Sequence, residues 1–308
     1  FNVEVVSESE YEVYLDSQFP DGSDGEMAEF EVLRWHTTTV DGNPESLKSP
    51  GPNGFANLEL RDWGNDKEAY RWNLLKTMHR DEDDFAAMIA LDKLFSQTGA
   101  AFVAGANQQL DVESWLRTMA YQSLVGPADV VYTGSNIHNF RLYVRPHDGR
   151  AMYLPWDWDS SFQRATNASL VGGGNISKVV TSSPDLSRRY HAHLFNLVQT
   201  KFNTSYMSRW TQHYGTLGEQ DLSGILSYIG SRASCVLTQL TTSTAFSANA
   251  GTVTSNGAVT LSGSAAIAVH HIEVQFDSAR LDAPFGKRPV RRFLEQLGRV
   301  QQGLRRDA

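Results

Sequence analysis

One cysteine, Cys235, stands in a chain of 308 residues. That scarcity excludes an internal disulfide framework and any zinc site built from cysteine thiolates. Long apolar runs are missing too: Ala100–Ala106 is the nearest approach, well short of the ~18 residues that mark a membrane-spanning helix. Positive charge is in deficit, with 27 Lys/Arg against 35 Asp/Glu and a net charge of −8, which argues against a nucleic-acid surface. Ser160-Ser161 has no Gly-x-Ser-x-Gly setting, so a hydrolase nucleophile is unsupported. His191 and His193 are two apart; on a helix they point to different sides, so they do not suggest zinc.

What is present is an ordinary core-forming composition, 41% hydrophobic and 20% charged, which excludes disorder, collagen and coiled coil. The length suits one large domain or two modest ones. Basic charge gathers at the end, where eight Lys/Arg from Arg280 to Arg306 face Asp282, Glu295 and Asp307. The bland reading of that tail is a solvated terminus. The sequence opens at Phe1 without a methionine, a charged leader or an apolar leader, and Phe1–Val6 has strand character with nothing before it to pair with. The expectation is an internal piece of a longer protein. Asn167, Asn175 and Asn203 each begin an Asn-x-Ser/Thr triplet, a pattern that arises readily by chance.

Residues 1–65 alternate short strand-like runs (Val3–Val6, Tyr11–Leu15, Phe30–Trp35) with turn clusters at Pro20–Gly25 and Ser49–Gly54. From Lys67 the period changes, and Tyr70–Leu75 is expected to begin a helix. A second helix is expected over Phe85–Phe95, after the acids Asp81–Asp84, with Gly99 as its stop. Those acids suit a cap and dipole partner better than a metal. A third helix should run from Asp111 to Gly126-Pro127, and further helices from Ser183-Pro184 through Leu240. Beyond Thr241 the composition turns to Ser, Thr, Ala, Gly and Val, with strands expected at Val259–Leu261 and Ile267–Phe276. The expected domains are therefore 1–240 and a partial β-rich appendage, 241–308, ending in the basic tail.

Between Asn139 and Phe162, Phe140, Leu142 and Val144 alternate with Arg141, Tyr143 and Arg145, so this is a strand; Pro146–Gly149 turns and Ala151–Pro155 returns. A two-residue loop at Asp148-Gly149 sets Asn139 opposite Trp158, and a four-residue loop sets it opposite Trp156. Either register brings Asn139 within roughly 5–8 Å of Asp157, with Asp159 two residues on. An amide oxygen and carboxylates suit a hard divalent ion. The order Asn, hairpin, Asp is also the order in which protein kinases hold magnesium. Taken by themselves the residues fit equally well a loop whose tryptophans pack and whose acids stay wet; the one argument against is that acids interleaved with Trp156 and Trp158 are expected in partly dry surroundings.

Leu110–Gly126, then Ala128-Asp129, His138-Asn-Phe-Arg-Leu-Tyr143 and Tyr153-Leu-Pro-Trp-Asp-Trp-Asp-Ser-Ser-Phe162 together resemble the CotH kinase family, the spore-coat protein H group. Weaker similarity runs from Gln18-Phe-Pro-Asp-Gly22 to Leu240. The resemblance implies an α+β, atypical protein-kinase-like C-lobe, mainly helical, with a hairpin carrying the metal site. It also implies ATP with Mg²⁺ (or Mn²⁺) and phosphoryl transfer to Ser/Thr of a protein substrate, in a bacterial surface, secreted or spore-coat protein. Carried over, Asp157 is the DFG-type magnesium ligand, Asn139 the second-metal ligand, Asp159 a residue that assists the metal or orients Asp157, and Asp129 the acid that receives the substrate proton. Asp157 and Asn139 thereby also hold the nucleotide through its metal.

The departure from the family pattern lies upstream. No G-x-G-x-x-G occurs, and of Lys48, Lys67 and Lys76 none is expected on a strand at an ion-pair position, so most of a nucleotide-gripping N-lobe is expected to be missing. Phe1–Ser9 is then the candidate connector strand. Gly172-Gly-Gly-Asn175 with Lys178 fits a flexible loop better than a phosphate contact, and Arg188-Arg189 a packed helix surface. Two other readings stand beside the kinase: a metal-dependent glycosyltransferase using Asp157-Trp-Asp159, which calls for an upstream α/β nucleotide sheet, and a non-catalytic surface, spore-coat or adhesion module.

Overall fold

A computed structural model describes residues 12–30, 34–39, 41, 48–50, 59–71, 74–130, 132–133, 139–240, 247–253 and 259–269. In chain order the elements are α1 (Glu12–Gln18), β1 (Glu26–Phe30), β2 (Arg34–Thr39), β3 (Lys48–Pro50), α2 (Glu68–Arg71), β4 (Leu74–Lys76), α3 (Ala86–Ser96), α4 (Gly99–Gln109) and α5 (Val112–Val125). There follow β5 (Phe140–Val144), β6 (Ala151–Pro155), α6 (Lys178–Thr181), α7 (Pro184–Thr200), α8 (Thr204–Gly218), α9 (Ser223–Gln239), β7 (Ser247–Val253) and β8 (Val259–Ser264). The fold class is mixed α+β. Chain packing separates residues 1–239 from 240–308.

The first unit is organised by a sheet of order β4-β1-β5-β6, antiparallel throughout. Its strands pair in one row as Leu74, Phe30, Phe140 and Pro155, and in the next but one as Lys76, Ala28, Leu142 and Tyr153. Partners in a row share a face, so Phe30, Phe140 and Tyr153 form one apolar surface. Helix α5 lies across it. Trp115 packs on Tyr153 (centroids 5.3 Å) and Phe140 (6.5 Å), with Phe95 of α3 behind it (5.5 Å). The indole N–H of Trp115 donates to the Ala151 carbonyl at 2.8 Å and Gln122 Nε2 to the Tyr153 hydroxyl at 2.6 Å, which fixes the helix against β6.

The opposite face is covered as well. Met27, Tyr143 and Leu154 pack with Leu15 of α1 and Met78, so Arg141 and Tyr143, which alternation suggests as the wet side of β5, are both 0% exposed. Helix α1 thus replaces the strand expected at Tyr11–Leu15, of which Tyr11 lies outside the described residues. Its period-2 pattern misleads because Val13 is left on the surface at 79% while Leu15 enters the core and the adjacent Tyr14 packs at its edge.

Other local expectations yield to tertiary pairing. Tyr70–Leu75 does not begin a long helix: α2 stops at Arg71, and Leu74–Lys76 joins the sheet edge beside β1, its Leu74 and Lys76 buried with Leu75 half-buried between. Gly99, expected only to stop a helix, opens α4 with φ 56°, and Phe102 and Ala106, four apart, bury its inner stripe. Asp84 accepts from the Ala86 N–H at 2.8 Å at the start of α3, while Asp83 pairs with Lys67 and Arg71. Ser183 caps α7, accepting from the Leu186 N–H at 3.2 Å with Pro184 at the first position, as expected. Helix α5 is capped by Asp111, which accepts from Ser114 N–H at 3.1 Å, and ends on left-handed Gly126, again as read from the sequence.

In the second unit β7 and β8 pair antiparallel. Strand β8 contains the expected Val259–Leu261, but Ile267–Val269 is turn and coil, and 270–276 lie outside the described residues. So do Phe1–Ser9, residues 51–54 of the second turn cluster and the basic tail.

Candidate functional site

The hairpin forms with the four-residue loop. Val144 pairs with Ala151 and Phe140 with Pro155, and Arg145 N–H closes the turn on the Arg150 carbonyl at 3.1 Å. Asn139 and Trp156 therefore stand one step beyond the last ladder pair, and Asp157 follows. Both Asn139 (φ 59°) and Asp157 (φ 48°) occupy the left-handed region, which costs a side-chain-bearing residue about 1–2 kcal/mol. Asn and Asp are the residues that tolerate it best, and such outliers gather where geometry serves a site.

Asn139 is 4% exposed. Its Nδ2 donates to the Asp129 carbonyl at 2.9 Å, which directs the amide nitrogen inward to the 128–130 turn. That turn is held in its own right: the Ala128 and Asp129 N–H groups donate to Ser160 Oγ at 3.2 and 3.1 Å, and Ala128 N–H reaches the Ser160 carbonyl at 3.2 Å. Phe162 N–H donates to Val125 O at 2.6 Å and Arg164 N–H to Gly126 O at 3.1 Å. One hydrogen-bonded network therefore joins Asn139, the Asp129 turn and the segment running on from Asp157 and Asp159. Residues 134–138, between Asp129 and Asn139, lie outside the described residues.

Asp157 and Asp159 are exposed and Asp129 half-buried. The dry surroundings expected around the interleaved acids are not what the fold provides. Alternation turns both tryptophans inward and both carboxylates out. Trp158 stacks on Tyr121 at 5.7 Å, 27° from parallel, and Trp156 lies under the Arg141 guanidinium, 3.2 Å from its centroid. Among the described residues no group of three or more His, Cys, Asp or Glu is gathered as a metal cage. The donors on offer are instead an amide and carboxylates facing water, the set a hard divalent ion accepts together with substrate oxygens.

Arg141 is the residue that reading by alternation misses. Fully buried, it donates from Nε and Nη2 to Glu29 Oε2 on β1 at 3.1 and 3.0 Å while stacking on Trp156. This fixes the backbone where the chain leaves β6 for Asp157. The signal was a charged residue between Phe140 and Leu142 in an otherwise apolar strand. Lys76 is likewise corrected: it is buried on β4, with Nζ 2.8 Å from Glu26 Oε2. Glu26 lies level with Val144, at the turn end of the hairpin, so this ion pair points away from Asn139. Lys178 Nζ donates to Phe95 O at 2.5 Å, and Asn175 binds Glu59 and Leu60; Arg189 binds Glu113 and Asp185.

A family profile described as CotH kinase protein matches residues 12–222. The chain belongs to the CotH kinase family. The matched span runs from α1 to the residue before α9 and so contains the whole four-stranded sheet, the hairpin and both arms of the network around Asn139. The inner spore coat protein H of Bacillus subtilis (strain 168) is 23% identical over 138 residues, an alignment covering 41% of this chain and 36% of that protein. The chain thus spans about a third of the length of the curated CotH relative that it matches. No helix among the described residues is long and apolar enough to cross a membrane.

Proposed function

We propose that this CotH-family chain contains the metal-side half of a phosphotransferase site, an atypical kinase-like C-lobe that transfers the γ-phosphoryl group of ATP to Ser/Thr of a protein. The observation that carries the reading is the pairing of two left-handed, oxygen-bearing residues, Asn139 and Asp157, at the two feet of one hairpin, with Asn139 buried and tied to the Asp129 turn. Asn139, Asp157 and Asp159 would hold Mg²⁺ or Mn²⁺, which supplies charge neutralisation to the nucleotide phosphates. Catalysis of this kind is largely positioning, and the chain's own residues do that work. Arg141 and Trp156 set the exit of β6, and the Ser160 bonds hold the Asp129 turn beside it. Asp129 is the proposed acceptor of the hydroxyl proton.

The family membership supports ATP as cofactor and a protein as acceptor. The relative's name supports a spore-coat or bacterial surface location. Among the described residues every sheet ladder is antiparallel, which counts against the α/β nucleotide sheet that a glycosyltransferase reading requires. We further propose that the 1–240 and 241–308 segments are separate domains.

The test is incorporation of label from γ-labelled ATP into Ser/Thr, on this chain or an added protein, with and without Mg²⁺. Asp157→Asn should abolish it with the unfolding transition unchanged, since the carboxylate is exposed and has no ion-pair or hydrogen-bond partner among the described residues. Wild-type turnover in that variant refutes the assignment, and labelling that persists in a metal chelator refutes the reading as a whole.

A further inference from the structure

We infer that the groove between α8 and α9 is a docking surface for a peptide segment of a partner protein, one that carries acidic residues beside apolar ones. Helix α8 is fifteen residues long and buries only Gly215. Its large apolar side chains stay in water instead: Trp210 is 36% exposed, Tyr214 58% and Leu217 58%, three of the five large hydrophobic side chains exposed among the described residues. A helix is ordinarily held by the apolar stripe it buries, and exposed apolar surface concentrated on one element marks a site of contact. Trp210 and Tyr214 lie with ring centroids 6.1 Å apart and planes 21° from parallel, so they form one aromatic surface. Two cavities adjoin it, and Tyr206 lines both. The smaller, about 360 Å³, is apolar, lined by Met207, Trp210 and Tyr214 of α8, by Leu222 and Ile225 at the start of α9, and by Phe162. The larger, about 650 Å³, is lined by hydroxyls and amides such as Asn203, Ser205 and Ser234, and Arg209 is the charged side chain in its wall.

Charge selects the partner. Acids outnumber bases 35 to 27 in the chain, yet no Asp or Glu occurs from residue 186 to 218 or from 222 to 240. Glu219 and Asp221 alone interrupt this acid-free stretch, beyond the C-terminal end of α8. Lys201 and Arg209, at the other end and the middle, are exposed and form no ion pair among the described residues. What they touch is aromatic: Lys201 Nζ lies 4.4 Å and Arg209 Cζ 4.6 Å from the Tyr206 centroid, and Arg209 Cζ 5.0 Å from that of Trp210. The net charge of −8 repels an acidic peptide from the protein at large, whereas cations without carboxylates draw one to this face. Trp, Tyr and Arg are also the side chains on which binding energy concentrates. The partner's acids therefore belong at Lys201 and Arg209, and its apolar side chains over Trp210 and Tyr214 in the smaller cavity. Phe162 ends the run that carries Asp157 and Asp159, so a bound partner lies beside that segment. The surface needs neither metal nor nucleotide, and the inference stands apart from the phosphotransferase reading.

The experiment is fluorescence anisotropy of the 308-residue chain with a labelled synthetic peptide, Asp-Glu-Asp-Gly-Leu-Ser-Trp-Leu, without nucleotide or magnesium. Two control peptides carry Lys at each acidic position or Ala at each apolar position. The acidic peptide should bind saturably and more weakly as potassium chloride rises, and each control should bind at least about tenfold more weakly. Trp210→Ala should weaken the acidic peptide by about tenfold. Lys201→Glu combined with Arg209→Glu should weaken it by about as much and make the Lys control the better ligand, a reversal that a folding defect does not produce. Far-UV circular dichroism of these variants should match the wild type, since each altered side chain lies at the surface. Asp157→Asn should bind as the wild type does, which separates this surface from the candidate metal residues. The inference is overturned by equal binding of the acidic and Lys peptides, by affinities unmoved in the Trp210 and double charge variants, or by no saturable binding up to about 1 mM peptide. Self-association that Trp210→Ala abolishes and the peptide does not displace, followed by sedimentation, assigns the face to a second copy and overturns it as well.

Discussion

Replacing Asn139 separately by alanine and by glycine should invert their usual order of stability. Either change removes the Nδ2 donation to Asp129 O and strands a carbonyl near the core, at about 1 kcal/mol. Alanine must also hold φ at 59° with a Cβ, which adds about 1 kcal/mol, whereas glycine adopts that angle freely. Asn139→Ala is therefore expected to cost about 2 kcal/mol and Asn139→Gly about 1 kcal/mol, although glycine is ordinarily the worse of the two inside regular structure. For a domain of this size that separates the two melting temperatures by about 2–4 °C, readable by circular dichroism or urea titration at matched m-value. Both variants lose the amide oxygen alike, so their magnesium requirement in phosphotransfer should rise together. A glycine variant less stable than the alanine variant would refute the left-handed argument. A metal titration indifferent to both would remove Asn139 from the ligand set.

Three more outcomes are expected. Burial pushes the Glu113 carboxyl up, but the hydrogen bonds from His193 and Arg189 outweigh it and bring it down to about 2. A depressed carboxyl stabilises the fold above its unfolded value and loses that contribution as pH falls, so Glu113→Gln should flatten acid destabilisation between about pH 4.5 and 2; an unchanged slope in urea midpoints across that window argues against the pairing. Arg232→Met should destabilise by about 3 kcal/mol, because the Ser123 and Thr166 carbonyls lose their side-chain donor and Ala168 O keeps only Gln239 Nε2, and a chemical-denaturation difference under 1 kcal/mol would mean they find other partners. Ending the chain after Leu240 should leave the melting of the first unit unchanged, and a collapse of that transition would refute the proposed boundary.

Where a feature rests on groups close in sequence, it was legible. The Asp111 cap, the Gly126 stop, the Ser183-Pro184 start and the hairpin itself follow from turn and cap chemistry spanning a few residues. The choice between the two hairpin registers was not legible, since Asp148-Gly149 suits a tight turn. Arg145 settles it by pairing with Asp111 and Asp148 at 2.7 Å each, a contact with the start of α5. The errors share one cause. Leu74–Lys76 becomes a strand because β1 offers it an edge, and Tyr11–Leu15 fails as a strand because the adjacent Tyr14 and Leu15 pack on one cluster while Val13 stays in water.

The amino-acid order alone settled which oxygen donors flank the hairpin and that the chain is CotH-like, because both are carried by residue identity and short spacing. Tertiary structure alone decided that Arg141 is buried with its guanidinium over Trp156, that the acids face water, and that Lys76 turns away from Asn139. Each of these depends on desolvation by elements dozens of residues away, and burial is a property of the assembled neighbours that no local pattern encodes.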